Sequence, residues 1–292
     1  MISTLTTTFD ELPSYYNVAN VEKKGPRISF LRYPGGKQRL MHYILPLIRI
    51  GMEPTDRYIE PFVGGAAVFF SVNPERAFLS DLNSDLIDLY IGIRKSPKRV
   101  WDIYRKFPNT REGYYSVRSK KNSKTDVILK AAILLYLNRT CFKGMWRQNL
   151  KGEFTVGYGG QDRRWVISEN SLTEVGNKLA NVTLVKSDFE PIIDATKRGD
   201  FLFLDPPYKP FNRDIVEAHY VASRFTYENQ TRLARALLRA TNRGVKWAMT
   251  NSSHHDIVEI YEGHRIISLP KGTGNMPGLI TSSSGEVLIL NY

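Results

Sequence analysis

Residues 201–208 read FLFLDPPY, and they constrain the fold more than any other stretch of this 292-residue chain. Four consecutive bulky apolar residues predict a strand that is buried on both faces, which is typical of the centre of a parallel sheet. Two prolines then end the strand, because they fix φ and lack backbone N–H groups. Since function in open α/β sheets lies beyond the carboxyl ends of the strands, we expect a functional site at Asp205, Pro206, Pro207 and Tyr208.

The flanking sequence alternates between strand and helix patterns. DRYIEPFVGGAAVFF (56–70) and RAFLSDLNSDLIDLY (76–90) each predict a strand, a turn and a helix. These units predict an α/β fold with a Rossmann-like, mostly parallel sheet flanked by helices. Residues 1–27 lack either periodicity and are interpreted as a flexible or loosely docked arm. Further strands are expected at 181–189, 200–208, 244–251 and 285–292, and further helices at 38–50, about 228–243 and 253–261.

Positive charge is concentrated in one segment of the chain. The whole chain carries a formal net charge of +12, and the segment from Arg94 to Arg164 alone holds eighteen Lys and Arg against five acidic residues. A basic face on a nearly neutral body indicates a polyanionic partner, whereas a merely solvated surface would spread both signs more evenly. Helical patterns over 93–139 followed by a Gly-, aromatic- and base-rich stretch predict a helical and hairpin insertion at 93–167. The sheet domain would then comprise residues 28–92 and 168–292.

Composition excludes several classes of protein. Cys141 is the only cysteine, so no intrachain disulfide can form and a reducing compartment is expected. No apolar run approaches the roughly 18–20 residues that span a membrane. The five histidines show no metal-binding spacing with cysteine, so we predict no metal. A cytoplasmic protein is expected.

Two features indicate a nucleoside-containing cofactor. The Gly pair of EPFVGG lies between a strand and a helix, where the backbone can approach a ligand closely. Asp81 ends the next strand and is placed to accept hydrogen bonds from ribose hydroxyls. Alternatively, the Gly pair is a structural turn, and Asp81 or Asn83 only caps the following helix.

The carboxylate that follows the 201–204 strand suits an amino group. Asp205 and a carbonyl beside the prolines form a pair of acceptors for an exocyclic –NH₂, and Tyr208 offers a flat surface for a base. The alternative, a rigid Pro-Pro turn, explains the prolines but neither the carboxylate nor the ring.

Five motifs together resemble one known family. FLRYPGGK, EPFVGG, SDLNSDLIDLY, NRTCFKGMWRQNLKGEF and DPPY occur in the order found in Dam-type DNA adenine-N6 methyltransferases, and the resemblance spans roughly residues 29–292. It implies that S-adenosyl-L-methionine is the cofactor, that double-stranded DNA is the partner, and that methyl transfer to N6 of a flipped-out adenine is the reaction. GATC is the best guess for the site, since related members read it. A monomer is expected, and a cognate restriction endonuclease is left open.

The resemblance also implies roles for individual residues. The target base would bind in a catalytic pocket formed by Asp205, Pro206, Pro207 and Tyr208. The cofactor would be bound by Tyr33, Gly36, Lys37, Glu60, Phe62, Gly64, Asp81, Asp188, Phe189 and Asp205. DNA would be contacted by Arg32, Asn138, Arg139, Phe142, Lys143, Met145 and Arg147.

Among the DNA-contacting positions, Arg147 corresponds to an arginine that reads a guanine, and Arg32 to a residue that reads a flanking base. Phe142 and Met145 match positions that touch or wedge into the helix near the flipped base, with ordinary packing as the alternative. The sequence departs from the family at Ala66, commonly a second glycine, and at Lys143, commonly Asn. Met145-Trp146 and Gly157 are further departures.

Two alternatives to a DNA methyltransferase stay open at this point. One is an N-methyltransferase that acts on RNA or on a protein amide. Protein-amide enzymes usually have Asn rather than Asp before PPY and lack the insertion. The other is a non-catalytic DNA-binding regulator on the same fold, although it would have no reason to keep Asp81, Asp205 and Tyr208 together.

Overall fold

A computed structural model of the protein describes residues 28, 30–33, 37–149, 152–160, 167–207, 225–270 and 285–292, and describes residues 7–8 and 283–284 by their backbone alone. In this part of the chain, eight strands form one sheet in the order β1-β7-β8-β6-β5-β2-β3-β4. All neighbouring strands are parallel except that β8 runs antiparallel to β6 and β7. The strands are β1 Thr7–Thr8, β2 Arg57–Glu60, β3 Ala77–Asp81, β4 Val182–Lys186, β5 Asp200–Leu204, β6 Lys246–Ser252, β7 Arg265–Pro270 and β8 Ser283–Leu290.

Helices cover both faces of the sheet. Several begin where a polar side chain accepts a backbone N–H, as Asn83 does for α3, Asp126 for α6 and Thr226 for α9. Short 3₁₀ turns occur at Lys37–Arg39 and Phe142–Gly144. The α-helices are α1 Met41–Gly51, α2 Ala67–Val72, α3 Ser84–Lys95, α4 Pro97–Tyr104, α5 Arg111–Ser119, α6 Val127–Thr140, α7 Glu169–Lys178, α8 Phe189–Asp194, α9 Tyr227–Asn242 and α10 His255–Ile260.

Side chains of successive strand residues enter two different cores. In β5, Phe201 and Phe203 pack on the face covered by α1, α2 and α3, whereas Leu202 and Leu204 pack on the face covered by α8, α9 and α10. This alternation follows from the period of two in a strand. All five residues of β5 are buried, which confirms the prediction of a central strand. Among the described residues, no helix is long and apolar enough to cross a membrane.

The sequence-based expectations of fold are confirmed for the central elements and incomplete at the edges. The Rossmann-like, mostly parallel sheet and the strand–turn–helix units are as predicted. Strand β7 and helices α7 and α8 were not predicted. Thr7–Thr8, inside the segment expected to lack strand structure, pair in parallel with β7. A two-residue edge strand held by backbone hydrogen bonds has no hydrophobic period to detect. The rest of residues 1–27 lies outside the described residues.

The basic insertion shares its hydrophobic core with the sheet. Its central helix, α6, is buried along nearly its whole length and packs against α3, α4 and α5. Side chains of the insertion, among them Tyr114 and Leu134, belong to the same buried cluster as Leu79 and Phe201 of the sheet. The division at residues 93 and 167 stays a prediction, and it does not separate two hydrophobic cores.

Helix α3 and helix α6 meet at Gly92, and this contact gives a test of the shared core. A Cβ at Gly92 would lie 2.4 Å from the Cβ of Ala131 and 2.6 Å from the carbonyl oxygen of Val127. We expect Gly92→Ala to lower the free energy of unfolding by about 1–3 kcal/mol through overpacking. Thermal unfolding measures it, with Gly157→Ala as the control, because a Cβ there would meet only the Tyr115 hydroxyl at 3.7 Å. Equal midpoints for both variants would contradict a tight α3–α6 contact.

Candidate active site and nucleic-acid interface

The candidate site lies between β2 and β5, where the strand order of the sheet reverses. From β2 the chain continues to β3 on one side, and from β5 it continues to β6 on the other, although β2 and β5 are neighbours. Glu60 ends β2, and Asp205 directly follows β5. Side chains that follow two such strands meet in a crevice at the sheet's carboxyl edge, which is where open α/β folds bind ligands.

The glycine turn after β2 is tied to the end of β3. The Gly64 N–H donates to Asp81 Oδ2 at 2.9 Å, and the Asn83 N–H donates to Asp81 Oδ1 at 2.9 Å. Backbone donors thus hold both carboxylate oxygens of Asp81 at the end of β3. Burial raises the pKa of Asp81 to about 6. Gly64 has φ of 44°, and the buried Ala66, which replaces a common glycine, has φ of 55°. The turn thus holds a residue with a Cβ in the left-handed region that favours glycine.

An aromatic cluster lies beyond the glycine turn, between α8 and α9. The ring of Phe62 lies 5.3 Å from that of Phe189 and 5.8 Å from that of Phe225. Asp188 caps α8 and pairs with Arg232 at 2.6 Å, and the Arg232 guanidinium lies 4.4 Å from the Phe189 ring centroid. Flat apolar surfaces beside a carboxylate suit a purine ring with an amino group. Sequence reasoning found Asp188, Phe62 and Phe189 but missed Phe225 and Arg232, which no local pattern marks.

Two buried ionisable groups border Asp205. Lys37, with 4% of its side chain exposed, holds its Nζ 2.9 Å from Asp205 Oδ1 and 3.8 Å from Glu286 Oε2. Glu60 accepts a hydrogen bond from the Tyr58 hydroxyl at 2.8 Å, and burial raises the pKa of Glu60 well above its usual value. Lys37 and Glu60 thus place one ammonium and one buried carboxyl beside Asp205.

The tip of β5 contacts two side chains that sequence reasoning missed. Thr250 donates to Asp205 Oδ1 at 2.6 Å, and Gln230 donates to the Pro207 carbonyl at 3.2 Å. Pro206 is buried and Pro207 is exposed. Polar residues at the end of the predicted strand GVKWAMTN were the available signal for Thr250. Tyr208 and Gly36 lie outside the described residues, and their roles stay predictions.

The stretch from Cys141 to Tyr158 forms an irregular hairpin, which carries the predicted base-reading residues. Antiparallel bridges join Cys141 to Tyr158 and Gln148 to Phe154. Phe142 is 41% exposed, Lys143 and Arg147 are exposed, and Met145 is half-buried. Lys143 has φ of 55°, a conformation that Asn, its common counterpart, adopts more readily. Phe142, Lys143 and Arg147 are thus accessible to a large ligand.

Asn138 and Arg139 do not reach the surface, and the prediction that they contact DNA needs correction. Asn138 is fully buried; its Oδ1 accepts the Arg32 N–H at 2.9 Å and its Nδ2 donates to the Arg32 carbonyl at 2.6 Å. Arg139 is 3% exposed, and burial lowers the pKa of its guanidinium to about 10. The loop at 30–33 and the hairpin cover the end of α6. Asn138 uses both polar atoms of its side chain to fix the backbone of Arg32 there.

The loop at 30–33 lies between the hairpin and the glycine turn. Arg32 packs on Gly144, where an added Cβ would lie 2.4 Å from the Cβ of Arg32. Tyr33 packs on Gly65, where an added Cβ would lie 2.9 Å from the Cβ of Tyr33, and its ring lies 6.2 Å from Trp146. Arg32 thus contacts the hairpin, and Tyr33 contacts both the glycine turn and Trp146 of the hairpin; their roles in DNA reading and cofactor binding stay predictions.

A buried polar cluster ties the hairpin to α3. Asp85, in the first turn of α3, contacts Lys121 Nζ at 2.5 Å and also accepts from the Gln148 side chain. Lys121 donates in turn to the Gly152 carbonyl at 2.7 Å. Lys121 and Asp85 are each about 5% exposed, so water hardly screens this ion pair. The charge-assisted hydrogen bonds of the pair hold the hairpin against α3.

Two further groups bear on the chemistry of the site. Burial raises the pKa of the Cys141 thiol to about 12, which is unfavourable for a nucleophile. In the part of the chain that the structure describes, His254, His255 and Asp256 are the one group of His, Cys or acidic residues whose ligand atoms, all within 4.8 Å of one another, could hold a metal ion. The absence of a metal therefore stays a prediction.

Fold and site define a class of protein. A mostly parallel sheet of this order, a glycine turn joined to an acid after the next strand, and an Asp-Pro-Pro tip at the switch point are the features of a Rossmann-like methyltransferase.

Comparison with known proteins narrows this class. The chain is 30% identical over 289 residues to a type II methyltransferase of Methanocaldococcus jannaschii, covering 90% of this chain and 98% of that protein. It is 29% identical over 274 residues to a type II methyltransferase of Lactococcus lactis subsp. cremoris, covering 90% and 95%. It is also 30% identical over 210 residues to the DNA adenine methylase of Escherichia coli K12, covering 70% and 74%.

The chain belongs to the D12 class of N6 adenine-specific DNA methyltransferases, whose family model matches residues 33–272. The resemblance deduced from the five motifs is confirmed, and the protein is an adenine-specific DNA methyltransferase. The alternatives of an RNA or protein-amide enzyme and of a non-catalytic regulator are wrong.

Proposed function

We propose that this enzyme transfers a methyl group from S-adenosyl-L-methionine to N6 of an adenine that is flipped out of duplex DNA at a specific site. The observation that carries the proposal is the position of Asp205. Its carboxylate lies at the switch point of the sheet, next to the glycine turn, with one oxygen held by Lys37 and Thr250. The other oxygen faces no donor among the described residues.

The described side chains fit the proposed methyl donor. The aromatic cluster of Phe62, Phe189 and Phe225 beside Asp188 suits its adenine, and the carboxylate of Asp81 suits its ribose hydroxyls. Tyr33 packs on Gly64 and Gly65 of the glycine turn, and Lys37 lies against Asp205. When bound, this donor supplies an activated methyl group on a sulfonium.

The acceptors at the β5 tip would activate the target amino group. The N6 lone pair of adenine is delocalised into the ring, which makes the amino group a poor nucleophile. Hydrogen bonds from its two N–H groups to Asp205 and to the Pro206 carbonyl would favour a tetrahedral nitrogen and stabilise the developing charge. Direct transfer then depends on alignment, so no covalent intermediate with Cys141 is required.

The target adenine must leave the base stack to reach this tip. N6 lies inside a duplex, and enzymes that act on such atoms extrude the nucleotide at a cost of a few kcal/mol. The exposed Phe142 and half-buried Met145 would fill the space that the base leaves. Tyr208 keeps its predicted role as the surface on which the flipped base stacks.

GATC is the proposed target sequence, read by Arg147 at a guanine and by Arg32 at a flanking base. We infer that the protein acts as a monomer in the cytoplasm. Two of the relatives are named type II methyltransferases, which supports a cognate restriction endonuclease as a further partner of this protein.

Asp205→Ala tests the proposed reaction. Loss of the acceptor should lower methyl transfer to duplex DNA by about 10²- to 10³-fold, because one stabilising hydrogen bond at a reacting group is removed. Transfer of tritiated methyl groups measures the rate, and gel shifts measure DNA binding, which should persist. Asp102→Ala removes the same charge from a half-buried position on α4, where Asp102 pairs with Arg105, and serves as the control. Equal rates for the two variants would refute the assigned role of Asp205.

The titration of Asp81 gives a pH-dependent test of the cofactor site. Ribose hydroxyls bind the ionised carboxylate, and its pKa is about 6, so the affinity for S-adenosylhomocysteine should fall as the pH drops from 8 to 5. A raised pKa means that protonation of Asp81 favours the folded state. The loss of affinity at low pH would therefore not result from unfolding caused by Asp81. Calorimetric titration measures the affinity. Asp81→Asn should remove the midpoint near pH 6, and an unchanged midpoint in this variant would count against the assignment.

Arg147→Ala tests which residue reads the DNA sequence. A bidentate contact from arginine to guanine contributes about 1–3 kcal/mol of discrimination, so the variant should methylate sites that differ at one guanine position. Methylation of a random DNA library, followed by mapping of the modified adenines, gives the wild-type site and the relaxed position together. Lys124→Ala, which removes an exposed charge from the insertion, is the control. A wild-type site pattern for Arg147→Ala would exclude this residue as the reader.

A further inference from the structure

The two donors that reach Asp205 converge on the same oxygen. Thr250 Oγ1 lies 2.6 Å and Lys37 Nζ 2.9 Å from Oδ1. Within the described ranges, no hydrogen bond or ion pair is formed by Oδ2. The carboxylate is thus held on one side and presents the other oxygen, and about a fifth of its side chain is exposed.

Thr250 is placed for this contact by the register of the central strands. Met249 of β6 is paired with Leu204 of β5, so Thr250 stands beside the residue that follows β5. Thr250 is fully buried, and a buried hydroxyl requires a partner. Its contacts are Asp205 Oδ1 at 2.6 Å and the Leu204 carbonyl at 3.5 Å. The shorter contact is to a charged acceptor and is the stronger one.

Asn251, the next residue of β6, supports the tip of β5 from the opposite face of the sheet. The Asn251 side chain donates to Gln230 Oε1 at 3.1 Å, and Gln230 Nε2 donates to the Pro207 carbonyl at 3.2 Å. Asn251 also accepts the Ser252 N–H at 2.8 Å, so its amide orientation is fixed at both ends. Asn251 and Gln230 are buried. The Pro207 carbonyl is therefore occupied, whereas no described donor reaches the Pro206 carbonyl.

We propose that Thr250 is a positioning residue for methyl transfer, whose hydroxyl holds Asp205 so that Oδ2 faces the target amino group. Gln230, held by Asn251, fixes the Pro207 carbonyl, which leaves the Pro206 carbonyl as the second acceptor. The two supports come from adjacent residues of one buried strand. Strand β6 thus orients the catalytic tip together with Lys37. This inference rests on the proposed role of Asp205.

A matched pair of variants tests the role of the hydroxyl. Thr250→Val replaces the hydroxyl by a methyl group of similar size, and Thr250→Ser keeps the hydroxyl. Single-turnover methylation should slow by roughly 10- to 100-fold in Thr250→Val, as expected for a misoriented reacting group. The affinities for S-adenosylhomocysteine and for duplex DNA should stay unchanged. Thr250→Ser should restore turnover. A merely structural role would alter binding and turnover together, and thermal unfolding monitors the fold.

A second position supports the test if Thr250→Val does not fold. Gln230→Met removes the donor to the Pro207 carbonyl and should likewise lower turnover without weakening either ligand. If Thr250→Val, or Gln230→Met in its place, turns over as fast as wild type while Asp205→Ala is inactive, the positioning role is wrong and the proposed reaction stands. If Asp205→Ala methylates DNA normally, the proposed role of Asp205 fails, and the inference fails with it.

Discussion

A buried ion pair between Lys37 and Asp205 connects the two ends of the active site. An ammonium that is 4% exposed requires a charged partner, and removing one member of a buried pair costs about 3–5 kcal/mol. The pair therefore fixes the tip of β5 to the 3₁₀ turn that precedes α1. The loop at 30–33 lies just before this turn and carries Arg32 toward the hairpin and Tyr33 toward the glycine turn. The charge pair thus holds Asp205 against the turn that leads into α1.

The sequence predicts best those residues that follow a strand. Asp205 directly follows an apolar strand and Asp81 is the last residue of its strand, so their place at the carboxyl edge of the sheet follows from the strand pattern and parallel order. Asp188 was found through the family resemblance alone. Asn138 was misassigned because it lies within a motif, and a motif does not reveal which of its members face inward. Its side chain is used to hold the backbone of Arg32.

Other residues could not have been found from local patterns. Thr250 acts on Asp205 only because β6 pairs with β5, and Arg232 acts on Asp188 only because α9 packs on α8. Such contacts depend on strand order and helix packing, which the sequence specifies through the whole core. Helix α9 illustrates this: Gln230 in its first turn contacts the catalytic tip, and Arg232 contacts the proposed adenine pocket. In the proposed reaction, the start of one helix would therefore align the two substrates.

The burial of α6 has a consequence for enzyme engineering. This helix has almost no solvent-facing side and fills the space between α3 and the remaining helices of the insertion. We therefore expect that residues 93–167 cannot be exchanged as a unit between relatives to change the target sequence. The α6 helix of a relative would have to pack against α3 of this protein. A chimera should instead exchange only the hairpin between Cys141 and Tyr158. It should keep Asp85 and Lys121, whose side chains bind the hairpin.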